Sequence, residues 1–392
     1  EGYPKPGDPN PVAGLRVHDL EDGETIIVDV GPETEQYVYD VRFAPDSATL
    51  LFNRTTRLQN RLELVGTDPA TGTSRVVHVE EQPTWQDNHP EMRFLKDGRR
   101  FIWATERSGW KQYELRDLDG RLLHPLTSGK YPAESILLVD EEEGVLWYDA
   151  YSGENPLNLQ VHRVNLDGTG QVRLTQDELN HRRVSVAPFG GWFICSMEAA
   201  DVPPETALFD GDGHRIATLA RSDRSRMEEL ELPMPELFTC LAADGRTPLY
   251  GVLYKPAGFD PSQRYPLLVK VYGGPSVRTV RNTFRGADPA CALGMLVMQI
   301  DNRGTPGRGK AFESATYRKL GIVDLDDQAA AVRHLVERPY VDGERVGITG
   351  GSYGGYLSAL AMLRYPELFH CAAAVSAVTD WRNYDSIYTE RY

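Results

Sequence analysis

The sequence is short of several things, and each shortage narrows what it can be. Its four cysteines, Cys195, Cys240, Cys291 and Cys371, are scattered in apolar runs without metal-ligand spacing. They read as buried free thiols and leave the redox compartment open. Basic residues are in deficit: 42 Lys and Arg against 57 Asp and Glu leave a net charge of −15, which argues against nucleic acid as a partner. No window holds 18 consecutive apolar residues, so no membrane span is visible. The chain opens at Glu1 without methionine, so a removed leader or anchor stays open. Histidine is scarce late in the chain: of nine, only His370 follows position 352. An apolar share of 41% across 392 residues is enough for two or three domains with sizeable cores.

The most informative positive feature is Val346-Gly-Ile-Thr-Gly-Gly-Ser352-Tyr-Gly-Gly-Tyr356. An apolar run leads into Gly-x-Ser-x-Gly and then a helix-like stretch, Leu357–Leu363. This is the order of a nucleophile elbow. A sharp turn lifts Ser352 above the strand end, where a base can take its proton. The glycines allow the strained turn and close packing. The usual chain order is then acid and histidine. Here Asp380 and Asp385 come too early, and His370 lies at the far end of the elbow helix. The expectation is a chain cut short, with the acid and base beyond Tyr392.

Residues 1–230 are short alternating runs separated by turn residues such as Asp97-Gly98 and Asp167-Gly168, which read as strands and hairpins. A similar unit recurs near Phe43, Phe94, Val145 and Phe193, and Pro125-Leu-Thr127 is echoed by Arg173-Leu-Thr175. Four strands per unit suggest propeller blades; a β-sandwich is the plainer alternative. Pro233, Pro235 and the acidic Glu228–Glu231 mark a boundary, giving a partial β-propeller domain over 1–232 and a second domain over 233–392. There, Leu267–Tyr272, Met295–Ile300, Arg345–Thr349 and Cys371–Val378 read as buried parallel strands. A helix is expected over Asp324–Glu337, with an apolar face of Leu325, Ala329, Val332 and Val336 and with Asp326 and Asp327 near its start. Alternating strands and helices mean a doubly wound, mostly parallel sheet. Its chemistry lies beyond the carboxyl ends of the strands, which carry Tyr272-Gly-Gly-Pro275, Asp301-Asn-Arg-Gly304, Ser352 and Thr379-Asp-Trp381.

Two further motifs have plain readings. Gly304–Ala311 nearly matches a phosphate loop, but Ala311 cannot hold magnesium and Pro306 removes a backbone donor, so it reads as structural. Trp381, Tyr384, Tyr388 and Tyr392 form one stripe on a helix. Spacing alone fits core packing, or the wall of a pocket for a compact apolar side chain.

Together these residues resemble the dipeptidyl peptidase IV family of the prolyl oligopeptidase superfamily. Four segments carry the likeness: Tyr3-Pro-Lys-Pro-Gly-Asp-Pro-Asn10-Pro11, Val271-Tyr-Gly-Gly-Pro275, Gly350-Gly-Ser-Tyr-Gly-Gly-Tyr356, and Val378-Thr-Asp-Trp381 through Tyr392. The last is the most specific. The resemblance implies a β-propeller followed by an α/β-hydrolase domain, truncated after the pocket segment. It implies a serine exopeptidase that releases X-Pro or X-Ala dipeptides from peptide substrates, with no metal or organic cofactor. Ser352 would be the nucleophile, and the Tyr272 phenol and Tyr353 N–H the oxyanion donors. Tyr353, Val375, Val378, Trp381, Tyr384 and Tyr388 would line the proline pocket. Gly351 stands where many members have tryptophan. The family's paired glutamates for the substrate amino terminus would precede Glu1. A homodimer of the complete protein is a further expectation. An acylaminoacyl peptidase or oligopeptidase of the superfamily is the near alternative, and a non-catalytic propeller scaffold the distant one.

Overall fold

Turn residues break the first 221 residues into strands of two to eight residues, and the strands pair with their chain neighbours. The structure, a computed structural model, describes residues 3–392. A hairpin, Leu15–His18 with Thr25–Val28, comes first. Four four-stranded sheets follow, each in sequential strand order. Their first strands are Gln36–Phe43, Met92–Phe94, Ala133–Asp140 and Asn180–Val186. The recurring four-strand unit is therefore present, although its sequence markers drift. Phe43 and Phe94 close first strands, whereas Val145 and Phe193 lie in second strands, because the turns between strands differ in length.

The chain divides into two compact units. The first comprises residues 1–147, 163–172 and 380–392; the second comprises 148–162 and 173–379. In the first, Leu51, Leu62, Leu64, Val77, Phe101 and Trp103 form a buried cluster. Beside Trp103 lies a buried polar group with no obvious trace in the sequence. Glu80 accepts from Trp103 Nε1 at 3.3 Å and Thr105 Oγ1 at 3.1 Å and lies 2.7 Å from His78 Nε2. Glu114 pairs with Arg116 at 2.5 Å. Both carboxylates are thus already satisfied, as burial requires.

The second unit holds a six-stranded mixed sheet. Its order is Glu236–Leu241, Pro248–Tyr254, Leu296–Asp301, Tyr265–Lys270, Val341–Gly351 and Cys371–Val375. The four strands expected to be parallel are parallel and adjacent. The two antiparallel strands at the other edge were not anticipated. The predicted helix spans Val323–Val336 and the elbow helix Tyr353–Arg364. Two expectations need correction. Cys371–Val375 is an exposed strand, not a buried one, because it lies at the sheet edge. Cys371 is accordingly an exposed thiol, while the other three cysteines are buried.

Candidate active site

The strand Val341–Gly351 runs between Tyr265–Lys270 and Cys371–Val375. It ends in a turn at Ser352, where φ is 55° and ψ is −117°. A residue with a Cβ adopts that backbone only when its surroundings impose it. Here the Ser352 N–H donates to Val375 O at 2.8 Å, and the Ser352 carbonyl accepts the Tyr356 N–H at 3.0 Å. Two glycines let the helix approach the neighbouring strand. A Cβ on Gly350 would lie 2.2 Å from Val271 O, and one on Gly354 2.1 Å from the same atom. Gly351 is different: its nearest neighbour would be Val375 O at 3.9 Å, so a larger residue has room to start there. Ser352 itself is exposed.

Tyr272 follows the strand Tyr265–Lys270, whose pairing is extended by the Val271 N–H on Thr349 O at 2.9 Å. Its ring lies 6.1 Å from that of Tyr353, centroid to centroid. Tyr353 begins the elbow helix with its side chain buried. Its phenol donates to Asp324 Oδ2. Burial pushes the Asp324 carboxyl up to about 6, against the pull of the Tyr353 phenol and the Gly321 and Leu325 N–H groups. At the next strand end, burial likewise raises Asp301 to about 6, although it accepts from the Thr279 and Val280 N–H groups at 2.7 and 3.1 Å. Val375 closes the edge strand opposite Gly351, and Val378 follows three residues later, half-buried.

Trp381, Tyr384 and Tyr388 belong to the first compact unit, unlike Ser352, Tyr272, Tyr353, Val375 and Val378. Their stripe survives, but not on one helix. Trp381–Asn383 is a single 3₁₀ turn and Ser386–Thr389 a short α-helix. The aspartates explain the break: Asp380 accepts from the Arg382 N–H and Asp385 from the Tyr388 N–H, each capping its own turn. Trp381 stacks on Tyr388 at 5.8 Å and 10°. Tyr384 meets both rings edge-on at 5.8 and 5.5 Å.

His370 lies at the opposite end of its strand from Val375, with its N–H on Val346 O at 2.8 Å. That agrees with a non-catalytic role. The Gly304–Ala311 loop is packed by Arg308, which stacks on Phe312 and donates to Pro248 O at 2.6 Å.

Comparison with known proteins decides the family. Residues 2–204 match the model of the dipeptidyl peptidase IV N-terminal region. The chain belongs to the dipeptidyl peptidase IV family. Residues 282–392 match the prolyl oligopeptidase family. A protein of Emericella nidulans named "probable dipeptidyl-aminopeptidase B" is 29% identical over all of this chain and 45% of its own length. Dipeptidyl peptidase 4 of Trichophyton tonsurans is 27% identical, with 52% of its length covered. The crystal structure of Porphyromonas gingivalis dipeptidyl peptidase 4 superposes with a TM-score of 0.89 at 27% identity, covering all of this chain and 56% of that one. The chain thus spans about half the length of the curated relatives it matches.

Sequence reasoning missed what holds the 380–392 segment of this family member. Arg57 donates to Glu390 through Nε at 2.5 Å and Nη2 at 2.7 Å, to Glu35 at 2.5 Å and to Asp8 O at 2.6 Å. Gln59 donates to Ile387 O at 2.5 Å, and Ser386 to Asn10 Oδ1 at 2.7 Å. No local pattern signals pairs so distant in the chain.

Proposed function

We propose that this chain carries the nucleophile, oxyanion donors and proline pocket of a serine exopeptidase releasing X-Pro or X-Ala dipeptides. The observation that carries this is the Ser352 backbone, held at φ 55° between a strand and a helix with the residue exposed. In this reading Ser352 Oγ attacks the carbonyl carbon of the substrate's second residue. The scissile C–N bond breaks, and the rest of the peptide leaves as an amine that takes up the serine proton. Water then hydrolyses the acyl-enzyme to free the dipeptide. The Tyr272 phenol and Tyr353 N–H receive the developing oxyanion; two such donors lower the barrier by several kcal/mol. Trp381, Tyr384 and Tyr388 offer a rigid aromatic wall to the proline ring, which has no N–H to satisfy. Residues 1–232 form the propeller portion and 233–392 the hydrolase portion.

A serine needs a base, and His370 is placed away from Ser352, so the 392 residues alone lack turnover. The complete protein carrying them is the active species. In it, Tyr384→Ala lowers the preference for Gly-Pro over Gly-Gly anilides in kcat/KM. Burying a ring of that size is worth roughly 2 kcal/mol, on the order of thirtyfold. The reading fails if selectivity is intact in the folded variant, or if the 392 residues alone cleave Gly-Pro anilide at an enzymic rate.

A further inference from the structure

The helix Val323–Val336 buries three polar side chains completely: Asp324, Asp327 and Gln328. Their spacing of i, i+3 and i+4 puts them on one face. A buried polar group costs stability unless it is partnered, so the partners are informative. Asp327 holds Arg303, accepting from its Nε at 2.9 Å and Nη2 at 2.7 Å, and also accepts the Ala243 N–H at 3.0 Å. The other two residues serve opposite sides of the elbow.

Asp324 accepts the Tyr353 phenol and is itself fixed by the N–H groups of Gly321 at 3.1 Å and Leu325 at 3.0 Å. Gln328 donates to Asn302 Oδ1 at 2.9 Å, and Asn302 Nδ2 donates to Gly273 O at 2.9 Å. Gly273 is the residue after Tyr272. The two arms also meet: a Cβ on Gly274 would lie 2.6 Å from Tyr353 Cγ, so that backbone rests on the Tyr353 ring. One helix is therefore hydrogen-bonded to Tyr353 directly and to the Tyr272 segment through a single buried amide.

We propose that Asp324 and Gln328 are positioning residues for the oxyanion donors, setting the Tyr272 phenol and the Tyr353 N–H relative to each other from one rigid helix. This rests on the reading of those two tyrosines given above. Neither positioning residue touches substrate. Both act because oxyanion stabilisation depends on donors held in place before the charge develops.

The test uses the complete protein, with kcat expressed per active site titrated by a serine-directed reagent. Gln328→Met removes the donor at nearly constant shape, and Tyr353→Phe removes only the hydroxyl on Asp324. Each is expected to lower kcat on the order of tenfold with KM little changed. Leu335→Ala on the same helix should lower the melting temperature but not kcat. Gln328→Met combined with Tyr272→Phe should be no slower than Tyr272→Phe alone, since no phenol is left to position. If Tyr272→Phe keeps its kcat, the oxyanion reading itself is wrong. If Tyr272→Phe loses kcat while Gln328→Met and Tyr353→Phe keep theirs, or if the double variant's losses multiply, the positioning role is overturned alone. Should Gln328→Met not fold, Tyr353→Phe decides the Asp324 arm by the same criterion.

Discussion

Gly354→Ala sets two effects of opposite sign against each other. Gly354 is the second residue of the elbow helix, and helix propensity alone favours alanine there by up to about 1 kcal/mol. The surroundings oppose it. The new Cβ would lie 2.1 Å from Val271 O, 2.9 Å from Val271 C and 3.0 Å from Tyr272 Cα. All three are backbone atoms, so no side chain can swing aside. Reaching ordinary contact requires the helix start and the strand end to separate by roughly 1.3 Å, and overpacking of this kind costs about 1–3 kcal/mol. Separation also strains the Val271 N–H bond to Thr349 O, worth about 1 kcal/mol. The net expectation is a loss of about 1–3 kcal/mol. Gly351→Ala is the internal control, because its Cβ meets nothing nearer than 3.9 Å. Calorimetry of the 392-residue chain, with hydrogen exchange on peptides covering 265–272 and 341–364, reads the effect where it arises. Equal stability of the two variants, or a more stable Gly354→Ala, would refute the clash argument.

Three further outcomes follow from the same geometry. Ser352→Gly should stabilise the chain by about 1 kcal/mol in urea unfolding, because glycine relieves the strain at φ 55°; a less stable variant would show that the turn is unstrained. Arg57→Ala should cost about 2 kcal/mol by leaving the half-buried Glu390 without its fork, with Arg57→Lys restoring only part, and an unchanged unfolding midpoint would dismiss the anchor. Asp301 is raised from its ordinary value to about 6 by burial, so the folded state binds its proton more tightly than the unfolded chain. Its stabilisation is therefore complete below the ordinary carboxylate range and lost as pH rises through about 6. From pH 5 to 7.5 the wild type should lose about 1 kcal/mol relative to Asp301→Asn; a pH-independent difference, or one of opposite sign, contradicts it.

Much of the second unit was legible along the chain because the signals are local. The Gly-x-Ser-x-Gly elbow records a turn that only such residues permit, and compact apolar runs record strands covered on both faces. The helix at 323–336 betrayed itself by period. The same local rules misjudged Cys371–Val375, which has a buried strand's composition but lies at a sheet edge. They also drew Trp381–Tyr392 as one helix, because side-chain spacing carries no information about two aspartates capping separate turns.

The sequence by itself determined where the Gly-x-Ser-x-Gly turn sits, which strands lie parallel and that four-strand units recur, since each depends on neighbours within a few residues. Tertiary structure alone decided that Asp324, Asp327 and Gln328 are interior, that Asn302 reaches Gly273, and that Arg57 grips Glu390 across 333 positions. The physical reason is that a polar residue on a helix looks the same in sequence whether water or another element covers it. Its partner is chosen by proximity in space, and distance along the chain does not encode that.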